Sequence, residues 1–417
     1  MEAEQTHFLP VVLPRSDHPI SRALIDPDAL WIMRRLHREG YQAFLVGGAV
    51  RDLLLGGSPK DFDVGTDASP NEVRRMFRNC RLIGRRFRLA HVYFHRRGQP
   101  ENIIEVSTFR SRETWDHSNG RPPEKLDLSG HIFGTPAEDA LRRDFTVNGL
   151  FYDFADFSVV DYVGGLDDLD EGLIRLIGDP DERFPEDPVR MLRAVEFATR
   201  LDFDIEERTA AGIRKHAPLL AQGSPARVRD ELRDLQRRGI LAAVLAECQR
   251  LGLFEVLLPE VQLRPALFPL LSAIDARQRQ TGAPPEYLYL AALALPTVAA
   301  TYPLDEHATL DAAQAAVSRI LDPVTQRYQI AGHIRHMAKD LILSCYRLAR
   351  GKAYRAKGKF VRRAEFSDGW EFFQLWAAAS GTAAEAVAFW QAHLQGSDAA
   401  PAPRTGNSRK RRRRPGR

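Results

Sequence analysis

Cysteine is scarce in this chain of 417 residues: Cys80, Cys248 and Cys345 are scattered and odd in number. That excludes a disulfide scaffold and a CxxC metal site, and it fits a reducing compartment. Long apolar runs are missing as well. The longest, Tyr287 to Tyr302, contains Pro296 and Thr297 and is too short to span a bilayer. The opening residues, MEAEQTHFLP, lack the basic-then-apolar layout of a signal peptide. A soluble cytosolic protein is therefore expected. No GxxxxGK[ST] stretch occurs, which excludes a P-loop enzyme.

What is present is ordinary in bulk. Apolar residues make up 44% and charged residues 27%, the balance of a globular protein, and the length suggests roughly two to three domains. The charge is unevenly placed. The net charge is +4, yet residues 404–417 alone carry eight Lys/Arg and no acid, leaving −4 on the rest. A second run, Lys352 to Arg363, holds six Lys/Arg and no acid. Arg411 and Arg412 lie in the most basic stretch. A polyanion partner is expected, as nucleic-acid binders often arrange their charge.

Pattern along the chain predicts an α+β half followed by an all-α half. Residues 1–28 read as an arm. Residues 29–165 carry helix and strand signals: a helix from Ala29 to Arg38, and strands at Ala43–Val46, Asp61–Val64, Leu89–Phe94, Asn102–Thr108 and Val159–Val163. Between them, helices are expected over AVRDLLL, over Asn71–Asn79 and from about Glu138. Residues 111–136, rich in Gly and Pro, read as a long loop. From Pro185 onward strand signals almost vanish. Helical spacing recurs through 188–200, 226–236, 239–254, 308–321, 324–348 and 368–394. The expected layout is a neck at 166–240, a helical body at 241–395 and a disordered basic tail at 396–417.

The chemistry concentrates at Gly47-Gly48 and, after twelve intervening residues, at Asp61-Phe62-Asp63-Val64. On a strand, residues i and i+2 share a face. Asp61 and Asp63 then project together while Phe62 and Val64 point into the core. Adjacent carboxylates repel unless a cation lies between them, and hard oxygen ligands suit Mg²⁺. Two ions about 3.5–4 Å apart would clamp both oxygens of a phosphoryl displacement. The glycines let the backbone approach closely, and the helix after them offers N–H groups to a triphosphate. Arg51 falls in its first turn, within reach of a phosphate or the aspartates. A DxD triplet alone is also a common structural turn. Asp202-Phe203-Asp204 has no glycine pair upstream at a useful distance, and although Asp179-Pro180-Asp181 follows Gly164-Gly165, Pro180 argues against a central strand.

Gly47-Gly48-Ala49-Val50-Arg51-Asp52-Leu53 with Lys60-Asp61-Phe62-Asp63-Val64 resembles the first motif of the nucleotidyltransferase superfamily, in its poly(A) polymerase/CCA-adding branch. Arg142-Arg143-Asp144-Phe145-Thr146-Val147-Asn148 resembles that branch's second motif. Glu186-Asp187-Pro188-Val189-Arg190-Met191-Leu192-Arg193 resembles its nucleobase-recognition motif. Three motifs in order over residues 40–240 imply a polymerase β-like sheet domain ahead of the helices. They also imply Mg²⁺ on Asp61 and Asp63, with Asp144 among the active-site carboxylates. Gly47, Gly48, Arg51, Arg143 and Asn148 would then contact the nucleotide's sugar and phosphates, and Asp187, Arg190 and Arg193 its base.

Residue by residue, simpler readings stand beside these. Arg143, Asp144 and Asn148 are expected on one helix, where positions four apart share a face; a surface ion pair would look the same. Glu105 is either a third acid near the metals or an edge-strand charge. Asp187 and Pro188 form a helix start, and Arg190 and Arg193 lie within about 60° on one face. Glu196 departs from the CCA-adding pattern, which typically carries an Arg there. Leu82-Ile83-Gly84-Arg85-Arg86-Phe87-Arg88-Leu89-Ala90-His91 resembles the signature separating bacterial poly(A) polymerases from CCA-adding enzymes, with Arg85, Arg86 and Arg88 placed to contact RNA phosphates. The resemblance thus implies transfer of AMP from ATP to RNA 3′ ends. The alternatives are a CCA-adding tRNA nucleotidyltransferase and an inactive RNA-binding protein on the same fold.

Overall fold

The computed structural model describes residues 10–84, 88–96, 98, 101–114, 131–282, 285–305 and 310–395. Arg85, Arg86, Arg411, Arg412 and the expected tail lie outside the described residues. The chain divides into two compact units, 1–222 and 223–417. The divide falls inside the expected neck, just before Pro225 opens a new helix.

Unit one is built on an eight-stranded mixed sheet. Its strands are β1 (Val11–Leu13), β2 (Ala43–Val46), β3 (Asp63–Thr66), β4 (Cys80–Ile83), β5 (Leu89–Phe94), β6 (Asn102–Thr108), β9 (Leu150–Asp153) and β10 (Val159–Asp161). A separate hairpin pairs β7 (Arg110–Thr114) with β8 (His131–Phe133). The sheet order is β1-β10-β9-β2-β3-β6-β5-β4. Every neighbour is antiparallel except β3 and β6. Helices α1 (Pro27–Arg38), α2 (Gly48–Leu54), α3 (Pro70–Met76) and α4 (Pro136–Arg142) intervene. They are followed by α5 (Gly165–Glu171), α6 (Pro180–Glu186), α7 (Val189–Leu201) and α8 (Glu207–His216).

The apolar run of β2 is explained by burial on both faces. Ala43 and Leu45 join a large core with Val64, Val92, Ile104 and Val106. Phe44 and Val46 join a smaller aromatic cluster with Phe109 and Phe151 on the other face. Phe62 and Val64 reach the large core as expected.

Four expectations are corrected. The arm is not structureless: β1 closes one edge of the sheet against β10, and Ile20 and Ile25 are buried. The strand bearing the aspartates begins at Asp63, not Asp61. Its last partner on β2 is Val46, because β2 gives way there to Gly47 with φ +72°. The loop at 111–136 contains most of β7 and all of β8; β7 is wholly polar and β8 is only three residues long, so neither carries an alternating signal. The helix of the second motif ends at Arg142. It begins at Pro136 in a capping box between Thr135 and Glu138. Beyond Arg143 the chain turns extended, bridging Phe145 to Leu176, and only Thr146–Asn148 form a 3₁₀ turn.

Unit two is all helical in its described residues: α9 (Pro225–Arg238), α10 (Leu241–Arg250), α11 (Phe254–Leu257), α12 (Leu267–Thr281), α13 (Glu286–Thr301), α14 (Leu310–Arg327), α15 (Gly332–Ala349), α16 (Lys357–Val361), α17 (Phe366–Ser380) and α18 (Ala384–Gln395). The expected break at Asp322-Pro323 does not occur. Leu321 and Val324 are buried on either side of Pro323, and that packing outweighs the one hydrogen bond proline forfeits. The expected helix 368–394 is instead split at Gly381, where φ is +68°. Helix α13 is buried from Tyr287 to Val298. All three cysteines are free and buried, and no described helix is long and apolar enough to cross a membrane.

Candidate active site

Strand register gathers the acids. Asp63 lies beside Glu105 across the parallel β3/β6 ladder, and Glu105 opposes His91 on β5. The His91 Nε2 and Glu105 Oε2 are 3.2 Å apart. Asp63 keeps solvent access, but protein crowds densely around it. Burial pushes its carboxyl up to about 6, with the Glu105 charge adding to the rise, Arg143 opposing it and Asp61 contributing further. Glu105 is thus a neighbour of the aspartates and not an edge charge. The parallel pairing that brings it there is long-range and left no mark in the sequence.

This donor set fits a divalent cation. Carboxylates held in mutual repulsion gain from a positive charge between them. Among the described residues no group of three or more His, Cys, Asp or Glu side chains is placed to hold a metal ion, so the two aspartates would leave most of a cation's shell to other ligands. An open set of this kind suits Mg²⁺, which keeps waters and substrate phosphates in its shell.

Gly47 connects this centre to the second motif. Its φ of +72° is reserved for glycine, and a Cβ there would lie 2.8 Å from Arg143 Nη1. Arg143 is fixed by Asp139 at 3.0 Å and stacks over Phe151 at 5.1 Å. Gly47 and Arg143 therefore nest together beside Asp63. Gly48 faces the Arg51 guanidinium, 3.3 Å from where its Cβ would sit.

Arg51 is turned into the protein. It is 2% exposed, bonded to Asp52 Oδ1 at 2.8 and 2.7 Å and to the Asn148 side-chain oxygen. It braces the site from within. Asn148 in turn donates to Asp144 Oδ1 at 3.0 Å, so the two residues do meet, through the 3₁₀ turn and not through an α-helix. Asp144 Oδ2 accepts from Arg193 Nε and Nη2 at 2.9 and 2.6 Å. Burial works to raise the Asp144 pKa. Arg193, Asn148 and the Phe145 N–H outweigh it and hold the carboxyl below the usual range. One polar chain therefore runs Asp52–Arg51–Asn148–Asp144–Arg193.

Two residues absent from the sequence reading complete this arrangement. The Phe197 ring lies under Arg51, Arg193 and Arg200 at 5.1, 5.0 and 5.1 Å. Arg183, nearly buried, donates to the carbonyls of Arg142 and Arg143 at 2.8 Å each and so sets the end of α4. No spacing pattern marks either one.

The base-recognition segment begins one residue later than expected. Pro188 takes the N-cap position of α7, while Asp187 Oδ1 accepts from Val189 N at 3.3 Å. Arg190 Nη1 is held by Glu186 and by the Arg183 carbonyl, both at 2.8 Å. Glu196 is buried and accepts from Arg200 at 3.0 Å. Arg88 lies half-buried just ahead of β5.

A mixed sheet presenting Asp63 beside a Gly-Gly turn, with Asp61 just ahead of the strand, followed by an all-helical half, defines a nucleotidyltransferase of the polymerase β-like kind. A solved CCA-adding enzyme in an apo form shares the fold, with TM-score 0.62 at 21% identity over 89% of this chain and 84% of that one. Three family descriptions match: the poly A polymerase head domain over residues 43–175, the probable RNA and SrmB-binding site of polymerase A over 202–263, and the polymerase A arginine-rich C-terminus over 305–417. Poly(A) polymerase I of Salmonella typhimurium is 38% identical over 99% of this chain and 95% of its own length. A CCA-adding enzyme of Limosilactobacillus reuteri is 37% identical but over only 51% of this chain. The chain belongs to the poly(A) polymerase family and is a polynucleotide adenylyltransferase.

Proposed function

We propose that the chain adds AMP from ATP to RNA 3′ ends, without a template and in the cytoplasm. The observation that carries the site assignment is the register of Asp63, which lies beside Glu105 on one side and, on the other, beside Val46, the residue that leads into the Gly47-Gly48 turn. Asp61 and Asp63 would hold Mg²⁺, two ions being expected, which when bound neutralises charge on the reacting phosphate. Gly47 and Gly48 admit the triphosphate, and Arg143 holds a phosphate from its fixed place beside Asp63. The RNA 3′-oxygen bonds to the α-phosphorus as the bond to pyrophosphate breaks. Asp144, Asn148 and Arg51 position this machinery from behind. Catalysis is mainly alignment and electrostatics.

Arg190 and Arg193 are anchored by Glu186 and Asp144, so with Asp187 they offer the base a preorganised edge. Asp187→Ala or Arg190→Ala is expected to erode preference for ATP over CTP and GTP more than total turnover. The scale is about 1–3 kcal/mol per good bidentate contact, by analogy with DNA base readout. Unchanged ratios among the three nucleotides would leave Asp187 a helix cap alone. The reading as a whole is tested on a generic oligonucleotide and a tRNA lacking CCA. AMP incorporated into both supports it, whereas CTP incorporated into the tRNA would favour the CCA-adding reading.

The basic segment 404–417, outside the described residues, should bind RNA phosphates without sequence preference. Deleting it is expected to leave the melting temperature nearly unchanged while weakening RNA binding. It should also flatten the salt dependence, by roughly 0.7 in log–log slope per phosphate no longer neutralised. Titration of full-length and truncated chains at several salt concentrations measures this. Identical slopes would make the segment a bystander.

A further inference from the structure

Half of the sheet face that carries Asp63 is covered and half is open. Toward β2 and β9 it is roofed by Phe44, Phe109 and Phe151. Toward β4 and β5 the residues on that face are Arg81, His91, Tyr93 and Ile103, since opposed residues of a ladder share a face. The pairings are Arg81 with His91 and Tyr93 with Ile103. Side-chain geometry agrees: the Arg81 guanidinium lies over the Tyr93 ring at 5.3 Å, and the His91 and Tyr93 rings are 6.4 Å apart. Arg81 is exposed, as are Ile83 at 42% and Ile103 at 44%. Among the described residues no carboxylate pairs with Arg81. The one acid on this stretch, Glu105, is matched by His91.

We infer that this open half-face, centred on Tyr93 and Arg81, is a stacking platform for the 3′-terminal bases of the RNA. The inference rests on the reading above that a single-stranded RNA end is the acceptor. The 3′-hydroxyl must come to Asp63, so the nucleotides behind it cross a surface continuous with that residue, and the aromatic roof blocks the other direction. Strand spacing and rise place Tyr93 about 12 Å from Asp63, the distance of the bases just behind the reacting end. Single-stranded nucleic acid is held without sequence preference by aromatic rings flanked by cations. Arg81 on Tyr93 already forms such a stack, which a base extends on the guanidinium plane. Tyr93 is held at this edge by backbone bonding from its N–H to the Asn79 carbonyl at 3.0 Å.

The test uses the full chain with Tyr93→Ala, Tyr93→Phe and Arg81→Ala. A fluorescent oligoadenylate is titrated without ATP, and RNA and ATP are varied separately in steady state. Tyr93→Ala should weaken RNA binding and raise the RNA KM by about 5- to 150-fold, the span of base–aromatic stacking, with the ATP KM unchanged. Tyr93→Phe should restore both, since the ring and not the hydroxyl is used. Arg81→Ala should bind more weakly, with a shallower salt slope. Wild-type RNA affinity and RNA KM in Tyr93→Ala would overturn the platform. So would a defect that Tyr93→Phe shares together with a lowered melting temperature. Should Tyr93→Ala fail to fold, an RNA carrying 4-thiouridine at the second or third position from its 3′ end, crosslinked to the wild-type chain, decides: label on β4 or β5 supports the platform, and label confined elsewhere overturns it. If the wild-type chain adds AMP to no RNA, the functional reading falls, while the binding titration and crosslink still judge the platform.

Discussion

Asparagine at position 61 or 63 is expected to abolish nucleotide transfer and leave the fold intact. Each amide is nearly isosteric but cannot supply the negative charge that holds a divalent cation. The loss should be at least on the order of 10²–10³-fold, the scale of removing one preorganised electrostatic group. Stability should move the other way at position 63. Burial and the Glu105 charge raise its carboxyl above the unfolded value. Such a group favours folding below the unfolded pKa and loses that contribution as pH rises through about 6. At pH 8 without metal, Asp63→Asn should therefore melt at the same temperature as wild type or slightly higher, and the difference should vanish toward pH 4. Added Mg²⁺ should raise the melting temperature of wild type more than that of the variant, because only the native wild-type site gains by binding. Activity within a few-fold of wild type at saturating metal would remove the metal-ligand assignment.

The local parts of this site were legible in sequence and the long-range ones were not. Strand, Gly-Gly, helix and strand could be read over residues 43–64 because each is set by neighbours a few positions apart. Strands β5 and β6 fall on the residues expected, Leu89–Phe94 and Asn102–Thr108. Glu105 was ambiguous because a parallel ladder joins segments some forty residues apart, and its register is fixed by burial on the far side of the sheet. Helix α13 carries no helical period for the opposite reason. It is buried all round, so it has no polar face to give the apolar residues a period. The second motif looks helical in sequence because Asp144 and Asn148 have helical spacing; the buried Phe145 and its bridge to Leu176 decide otherwise. Arg51 shows the same limit. Its place in the sequence suggests a phosphate or the aspartates as partners and carries no sign of the Asn148 and Phe197 that the fold brings to its guanidinium.

Removing the Asp144 carboxylate should cost stability as well as activity. In Asp144→Asn, Arg193 loses both of its short bonds to Oδ2 and remains a cation packed against Phe197. Breaking one side of a buried pair costs about 3–5 kcal/mol, and because Arg193 keeps some solvent access the lower end, about 3 kcal/mol, is expected. The pH dependence identifies the source. Asp144 is held below the ordinary carboxylate range, so its contribution is full above the unfolded pKa of about 4 and is lost as pH falls through the lower folded value. Denaturant midpoints of wild type and Asp144→Asn should thus differ by a constant amount from pH 8 to about pH 5 and converge below it. Arg193→Ala strands the carboxylate instead, and the double variant should lose less than the two single losses combined. A gap that stays constant down to pH 2, or strict additivity in that cycle, would show that Asp144 and Arg193 do not act as a pair. It would then leave Asp144 free to serve as the third active-site carboxylate that the resemblance implied.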